Sequence, residues 1–259
     1  MIAERSKNRG YLGTAKQKQA QASVYEFPIK GGIVKRRLRR PTSKITFKIA
    51  RALVEGVLRV FVRLEIKDKE NLPPDGPVIA VFNHLNLIDP PLHIISILPR
   101  DSIVMAKEEL FYYWPVPIFR ILMDAAEAYP VRRRGTAEER RMAIRYSEDV
   151  LAKGLVFGIY PEGTRSKSGC MKEAYTGCAL IALKTGVPLI PVSIRGTEKL
   201  KGIGWITRPK VTITFGKPFV LPPVTGKPTE EKLRELTDYI MGKIATVLPP
   251  EYRGRYQPR

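Results

Sequence analysis

His84 and Asp89 stand five residues apart in FNHLNLIDPPL, residues 82–92, between an apolar run and two prolines. A histidine titrates near neutral pH and can take a proton from a hydroxyl, provided a carboxylate holds its other ring nitrogen and fixes the tautomer. On one continuous helix the two side chains would point about 140° apart, since each residue turns about 100°. Asp89 precedes Pro90, which biases it away from helical dihedrals, and proline favours a helix's first turn. The stretch therefore predicts His84 in a loop leaving a strand and Asp89 at the N-cap of the next helix. There a carboxylate can cap and also orient an imidazole; capping alone would equally explain it.

A second loop, YPEGTRSKSG, covers residues 160–169. Pro161 and Gly163 make a turn, and Thr164, Arg165 and exposed amides form an anion-binding rim around Glu162. A plain polar turn with an exposed arginine is the other reading. The remaining histidine, His93, lies in the apolar run PLHIISIL and reads as a helix-face residue. Cys170 and Cys178 have no metal-ligand spacing and on a helix would lie about 12 Å apart, which predicts reduced, structural thiols. Neither a metal site nor a P-loop is found, so no metal or cofactor is expected, and no GxSxG elbow marks a serine nucleophile.

The elements around these loops alternate short apolar runs with helical periods. Strands are expected at Val78–Phe82, Leu155–Tyr160, Leu189–Ile194 and Val211–Phe215. Helices are expected from Ala137 to Lys153 behind a Thr136/Glu139 capping box, from about Glu173 to Lys184, and from Glu230 to about Val247 behind Thr229. The pattern is that of an α/β domain spanning residues 67–259, with a central mixed, mostly parallel sheet flanked by helices. Ahead of it, residues 43–66 read as an amphipathic helix, charged at Lys44, Lys48, Arg51, Glu55, Arg59 and Arg63 and apolar between. It could dock on its own domain or lie in a membrane interface.

The chain carries 45 Lys and Arg against 25 Asp and Glu, a net charge of +20, which implies an anionic partner. Residues 1–42 hold eleven of these bases, ending in KRRLRR, and read as a mobile tail. Such a cluster beside an amphipathic helix favours an anionic membrane surface. No secretory signal and no uninterrupted apolar stretch of about 18 residues is present, so a peripheral position on the cytoplasmic face is expected.

Taken together, the two loops resemble the glycerophospholipid acyltransferase family, whose bacterial members convert lysophosphatidic acid to phosphatidic acid. Asn83 to Asp89 resembles its NHxSxxD motif, and Tyr160 to Ser166 its FPEGTRS block. AKEELF (106–111), PVRRRG (130–135) and VPLIPV (187–192) are similar to further blocks, over roughly residues 70–220. Asn86 replaces the usual serine, Tyr160 the usual phenylalanine, and Arg132 the usual aspartate.

The resemblance implies transfer of an acyl group from acyl-CoA or acyl carrier protein to a lysophospholipid. His84 would be the base, Asp89 its orienting group, and Glu162, Gly163, Thr164 and Arg165 the acceptor-binding loop. The acceptor's phosphate would need convergent cations, and Arg165, Arg133 and Lys107 are the candidates. Backbone amides of either loop are candidates for oxyanion donors, and LFYYWPVPIF (110–119) for the acyl channel or for ordinary core. Another lysophospholipid or a glycolipid could be the acceptor. A non-enzymatic basic adaptor for membranes or nucleic acid is the contrasting reading; the enzyme readings expect no nucleic acid.

Overall fold

A computed structural model of the chain describes residues 24–29, 32–37, 45–108, 128–132 and 135–257. Among the described residues, seven strands form one sheet in the order β3-β9-β8-β4-β7-β5-β6. These are β3 (Arg63–Lys67), β4 (Val78–Phe82), β5 (Ser102–Lys107), β6 (Tyr129–Val131), β7 (Val156–Ile159), β8 (Leu189–Arg195) and β9 (Lys210–Phe215). All neighbours run parallel except β8 and β9, so the sheet is mixed but mostly parallel, as expected.

Buried strands of a parallel sheet are apolar on both faces. In β4 this sorts the side chains by period two: Val78, Ala80 and Phe82 join the core beneath α1 (Ile45–Phe61) and α2 (Asp89–Ile97). Ile79 and Val81 join the opposite core beneath α3 (Ala137–Ala152), α4 (Gly177–Thr185) and α5 (Glu230–Thr246). The start of α3 has the expected capping box, with Thr136 and Glu139 each accepting the other's amide hydrogen.

Helix α1 ends at Phe61, and the boundary drawn after residue 66 falls inside β3. RLEIK alternates with period two, and its Leu64 and Ile66 pack against the α1 core while the strand pairs with β9. The inner face of α1 buries Phe47, Ala50, Val54 and Leu58. Its outer face leaves Ile45, Ile49, Leu53, Val57 and Val60 exposed, so the helix docks inward and still presents a second apolar row. Among the described residues no helix is long and apolar enough to cross a membrane.

The expectation of a mobile tail through residue 42 does not hold for residues 24–29 and 32–37. Val24–Ile29 (β1) and Gly32–Arg37 (β2) pair as an antiparallel hairpin. Phe27, 5 % exposed, meets Tyr129 and Tyr146 with ring centroids 5.4 and 5.5 Å apart. Tyr25 stands edge-on to Tyr146, and its hydroxyl donates to Asp149. Two β-prone runs separated by two residues, one of them Gly31, are a hairpin signal that the surrounding bases obscured.

Candidate active site

The carboxyl ends of β4, β5, β6, β7 and β8 lie along one edge of the sheet, the usual position of a site in an open α/β fold. β4 leaves that edge through Asn83, 1 % exposed. Its Nδ2 donates to the Ile194 carbonyl at 2.8 Å, and its Oδ1 accepts from the Ile194 amide at 2.7 Å, pinning the loop's root to β8. Asn86 adds a second tie, donating to the Thr197 carbonyl at 2.8 Å.

Between these anchors His84 Nδ1 and Asp89 Oδ2 are 2.8 Å apart. An ionised carboxylate only accepts, so Nδ1 carries the hydrogen and Nε2 keeps its lone pair. The same oxygen accepts from the amides of Leu85 at 2.6 Å and Asn86 at 2.7 Å. Asp89 is wholly buried, whereas the His84 side chain is 16 % exposed.

Asp89 is the first residue of α2, not its N-cap; Ile88 holds that place and makes no side-chain cap bond. Pro90 and Pro91 have no amide hydrogen, and the Leu92 amide already donates to the Ile88 carbonyl. The carboxylate therefore ties down the turn before the helix.

The loop after β7 is fastened to the first. Glu162, 2 % exposed, accepts from the His84 amide at 3.2 Å and from the Lys172 amide at 3.0 Å. The Ser166 amide donates to the His84 carbonyl at 2.8 Å. Burial pushes the Glu162 carboxyl up to about 7, against the lowering pull of those two amides. Gly163, at φ 61°, makes the turn that follows, in a region where only glycine is unstrained. Lys172 Nζ donates to the Thr164 hydroxyl and to the Arg165 carbonyl. Arg165 is exposed at the rim.

Beneath His84 lies Tyr160, ring centroids 4.6 Å apart, and beyond it His93. His93 is fully buried, and Nε2 meets Ser102 Oγ at 2.8 Å. Burial pushes its pKa down to about 3, so it stays neutral. The ring fits only because residue 158 is glycine: a Cβ there would lie 1.7 Å from His93 Cε1.

Next to Tyr160, on the α3 and α4 side of the sheet, is a mostly apolar cavity of about 320 Å³. Phe27, Met105, Val131, Ile144, Ile159 and Ile181 are among its walls. Among the described residues no group of three or more His, Cys, Asp or Glu side chains could hold a metal ion.

Residues 63–195, just over half of the 259-residue chain, match the Acyltransferase family. The chain belongs to the Acyltransferase family. The 1-acyl-sn-glycerol-3-phosphate acyltransferase BAT2, chloroplastic, of Brassica napus is 30 % identical over 145 residues, 56 % of this chain and 40 % of that one. A Bacillus subtilis 1-acyl-sn-glycerol-3-phosphate acyltransferase is 25 % identical over 198 residues, 76 % of this chain and 94 % of that one. The solved 1-acyl-sn-glycerophosphate (LPA) acyltransferase, PlsC, of Thermotoga maritima matches with a TM-score of 0.57 at 28 % identity, covering 81 % of this chain and 83 % of that one. The chain thus spans less than half of the plant relative and most of the bacterial ones.

Against the family's motifs, the structure brings His84, Asp89, Glu162, Gly163 and Thr164 together. Glu162 bridges the two loops through backbone amides, a role beyond the acceptor binding that the resemblance implies. Lys172 was missed altogether, since no motif spacing marks it.

Arg132, in place of the family's aspartate, grips Glu108 with two bonds of 3.0 Å and Glu139 with a third of 3.0 Å. Its charge is matched by carboxylates. Lys107 ends β5 in register with Val131, on the same edge as His84; its side chain, Arg133 and the 110–119 segment lie outside the described residues.

Proposed function

We propose that this acyltransferase moves a fatty acyl group from an acyl thioester, acyl-CoA or acyl carrier protein, to the sn-2 hydroxyl of 1-acylglycerol 3-phosphate. The observation that carries the reading is the 2.8 Å contact between His84 Nδ1 and a buried Asp89, which leaves Nε2 as the base at a partly open edge. The names and extents of the bacterial relatives support the substrate.

In this reading His84 Nε2 removes the acceptor's hydroxyl proton as its oxygen attacks the thioester carbonyl. The tetrahedral intermediate collapses by breaking the C–S bond, and the thiolate recovers the proton from the imidazolium. Asp89 stabilises that imidazolium. The amides of His84, Leu85 and Asn86 are already engaged by carboxylates, which directs the oxyanion towards the second loop. Arg165, with Lys107 and Arg133, would meet the acceptor's phosphate. No cofactor enters these steps.

The cavity beside Tyr160 suits an acyl chain. Its walls are mostly apolar, and about 320 Å³ lies in the usual range of roughly 300–1,000 Å³ for ligand pockets.

The exposed row on α1 would seat the enzyme on an anionic membrane. It continues into Ile203 and Ile206, 78 % and 80 % exposed. Trp205 joins the two parts, edge-on to Phe61 with centroids 5.6 Å apart. Arg59, Arg63 and Arg208 are linked to one another beside this face, which supports attraction to anionic lipid.

Product analysis of the purified enzyme beside His84→Ala, with both donors and a panel of lysolipids, tests the reading. Phosphatidic acid from the wild type and none from the variant is expected. Product only from another lysolipid would move the acceptor, and no product from any pair would end the enzyme reading.

A further inference from the structure

Asp89 uses its two carboxylate oxygens unequally. Oδ2 takes three donors, from His84, Leu85 and Asn86. Oδ1 is buried and has no hydrogen-bond partner among the described residues; the same holds for Tyr160 OH and His93 Nδ1. Buried polar groups are nearly always paired, so each of these three needs a partner.

The three belong to one place. Asp89 and His93 are four residues apart on α2 and so share a face of the helix. The Tyr160 ring lies against that face, with centroids 5.4 Å from Phe82, 4.6 Å from His84 and 6.2 Å from His93. The charge of Asp89 bears on the Tyr160 hydroxyl.

We propose that Tyr160 is a positioning residue for the His84–Asp89 pair, its hydroxyl donating to one buried water that in turn donates to Asp89 Oδ1 and to His93 Nδ1. This rests on the reading of His84 as the base. The donor and acceptor count closes. Burial holds the phenol protonated, its pKa well above the usual value, so it remains a donor. His93 Nε2 is bonded to Ser102 Oγ, and in the tautomer this arrangement requires Nε2 carries the hydrogen, which leaves Nδ1 as an acceptor. The water then makes three bonds, the usual number for a buried one.

Held at both oxygens, the carboxylate cannot swing away from the imidazole. A phenylalanine at 160, the usual residue in the FPEGTRS block, would supply the ring against His84 but not the hydroxyl. The brace is therefore specific to this chain's tyrosine. The other titratable groups facing the pair are Glu162 in the same loop, His93 on α2, and Lys172 across Glu162.

Tyr160→Phe, compared with wild type and His84→Ala, tests the proposal. Expected are a roughly three- to tenfold lower kcat, the usual weight of one hydrogen bond, and an unchanged KM for both substrates. The acid limb of the kcat profile should move to higher pH, because a carboxylate with one donor fewer holds the imidazolium proton more tightly. Wild-type kcat with an unmoved profile overturns the proposal, and so does reduced turnover with an unmoved profile, which marks packing alone. If His84→Ala retains turnover, the base itself is misassigned; if it is inert while Tyr160→Phe is unchanged, only the positioning role fails. A high-resolution crystal structure of the wild type should show one ordered water bonded to Tyr160 OH and Asp89 Oδ1. Its absence there would also overturn the proposal.

Discussion

Asp89 reaches the ring of His84 through the very oxygen that ties down the turn between them, with bonds of 2.8 Å to the ring and 2.6 and 2.7 Å to the Leu85 and Asn86 amides. Geometry and charge can therefore be separated by one substitution. In Asp89→Asn the amide oxygen can still accept from both backbone groups, but no negative charge faces the imidazolium. We expect stability to fall by no more than about 1–2 kcal/mol, while kcat falls on the order of a hundredfold or more. Urea denaturation and steady-state kinetics on one preparation measure both. Near-full kcat would leave Asp89 as a turn brace only.

What could be read from the chain was what is encoded locally. Val78–Phe82 is a strand because five apolar residues run between turn signals, and α3 begins at Ala137 because Thr136 and Glu139 have capping-box spacing. Strand β3 was hidden because its residues also continue the helical charge pattern of α1. Its pairing with β9, about 150 residues further on, decides the outcome. The role of Glu162 was equally hidden: its partners are amides 78 residues before it and 10 after it, and spacing does not say which amides a loop presents.

The burial of Glu162 has a consequence for stability. Its carboxyl is raised from 4.5 to about 7, so the folded state binds this proton more tightly than the unfolded one. The stability so contributed is fully present below about pH 4.5 and is lost as pH rises through about 7. Its upper bound is about 3 kcal/mol, at 1.36 kcal/mol for each pKa unit. The advantage of wild type over Glu162→Gln should therefore shrink between pH 4.5 and 7 and level off above. Urea titrations at several pH values check this, and a constant difference would show that the two amide bonds outweigh burial.

Phe27 comes from the N-terminal hairpin yet forms part of the cavity wall. Phe27→Ala would extend the cavity towards the hairpin and shift preference to longer acyl thioesters in a competition assay over chain length. The loss of a buried ring should cost roughly 3–5 kcal/mol, visible as a lower melting temperature. An unchanged chain-length profile despite that loss of stability would make Phe27 a packing residue alone.

Leu53 on α1 and Ile203 beyond β8 are 55 % and 78 % exposed, so neither supports the core, and a charge at either should leave the fold intact. Burying one such side chain in a bilayer interface contributes about 1.5–3 kcal/mol. Leu53→Glu and Ile203→Glu should each weaken binding to anionic vesicles by roughly tenfold or more, and their combination by the product if the two parts act as one surface. Raised salt should weaken wild-type binding further by screening the arginines beside the patch. Turnover of soluble short-chain substrates should stay at the wild-type level in all three variants, because neither side chain takes part in the contacts that hold His84, Asp89 and Glu162. Co-sedimentation unchanged in the double variant would show that this face does not meet the membrane.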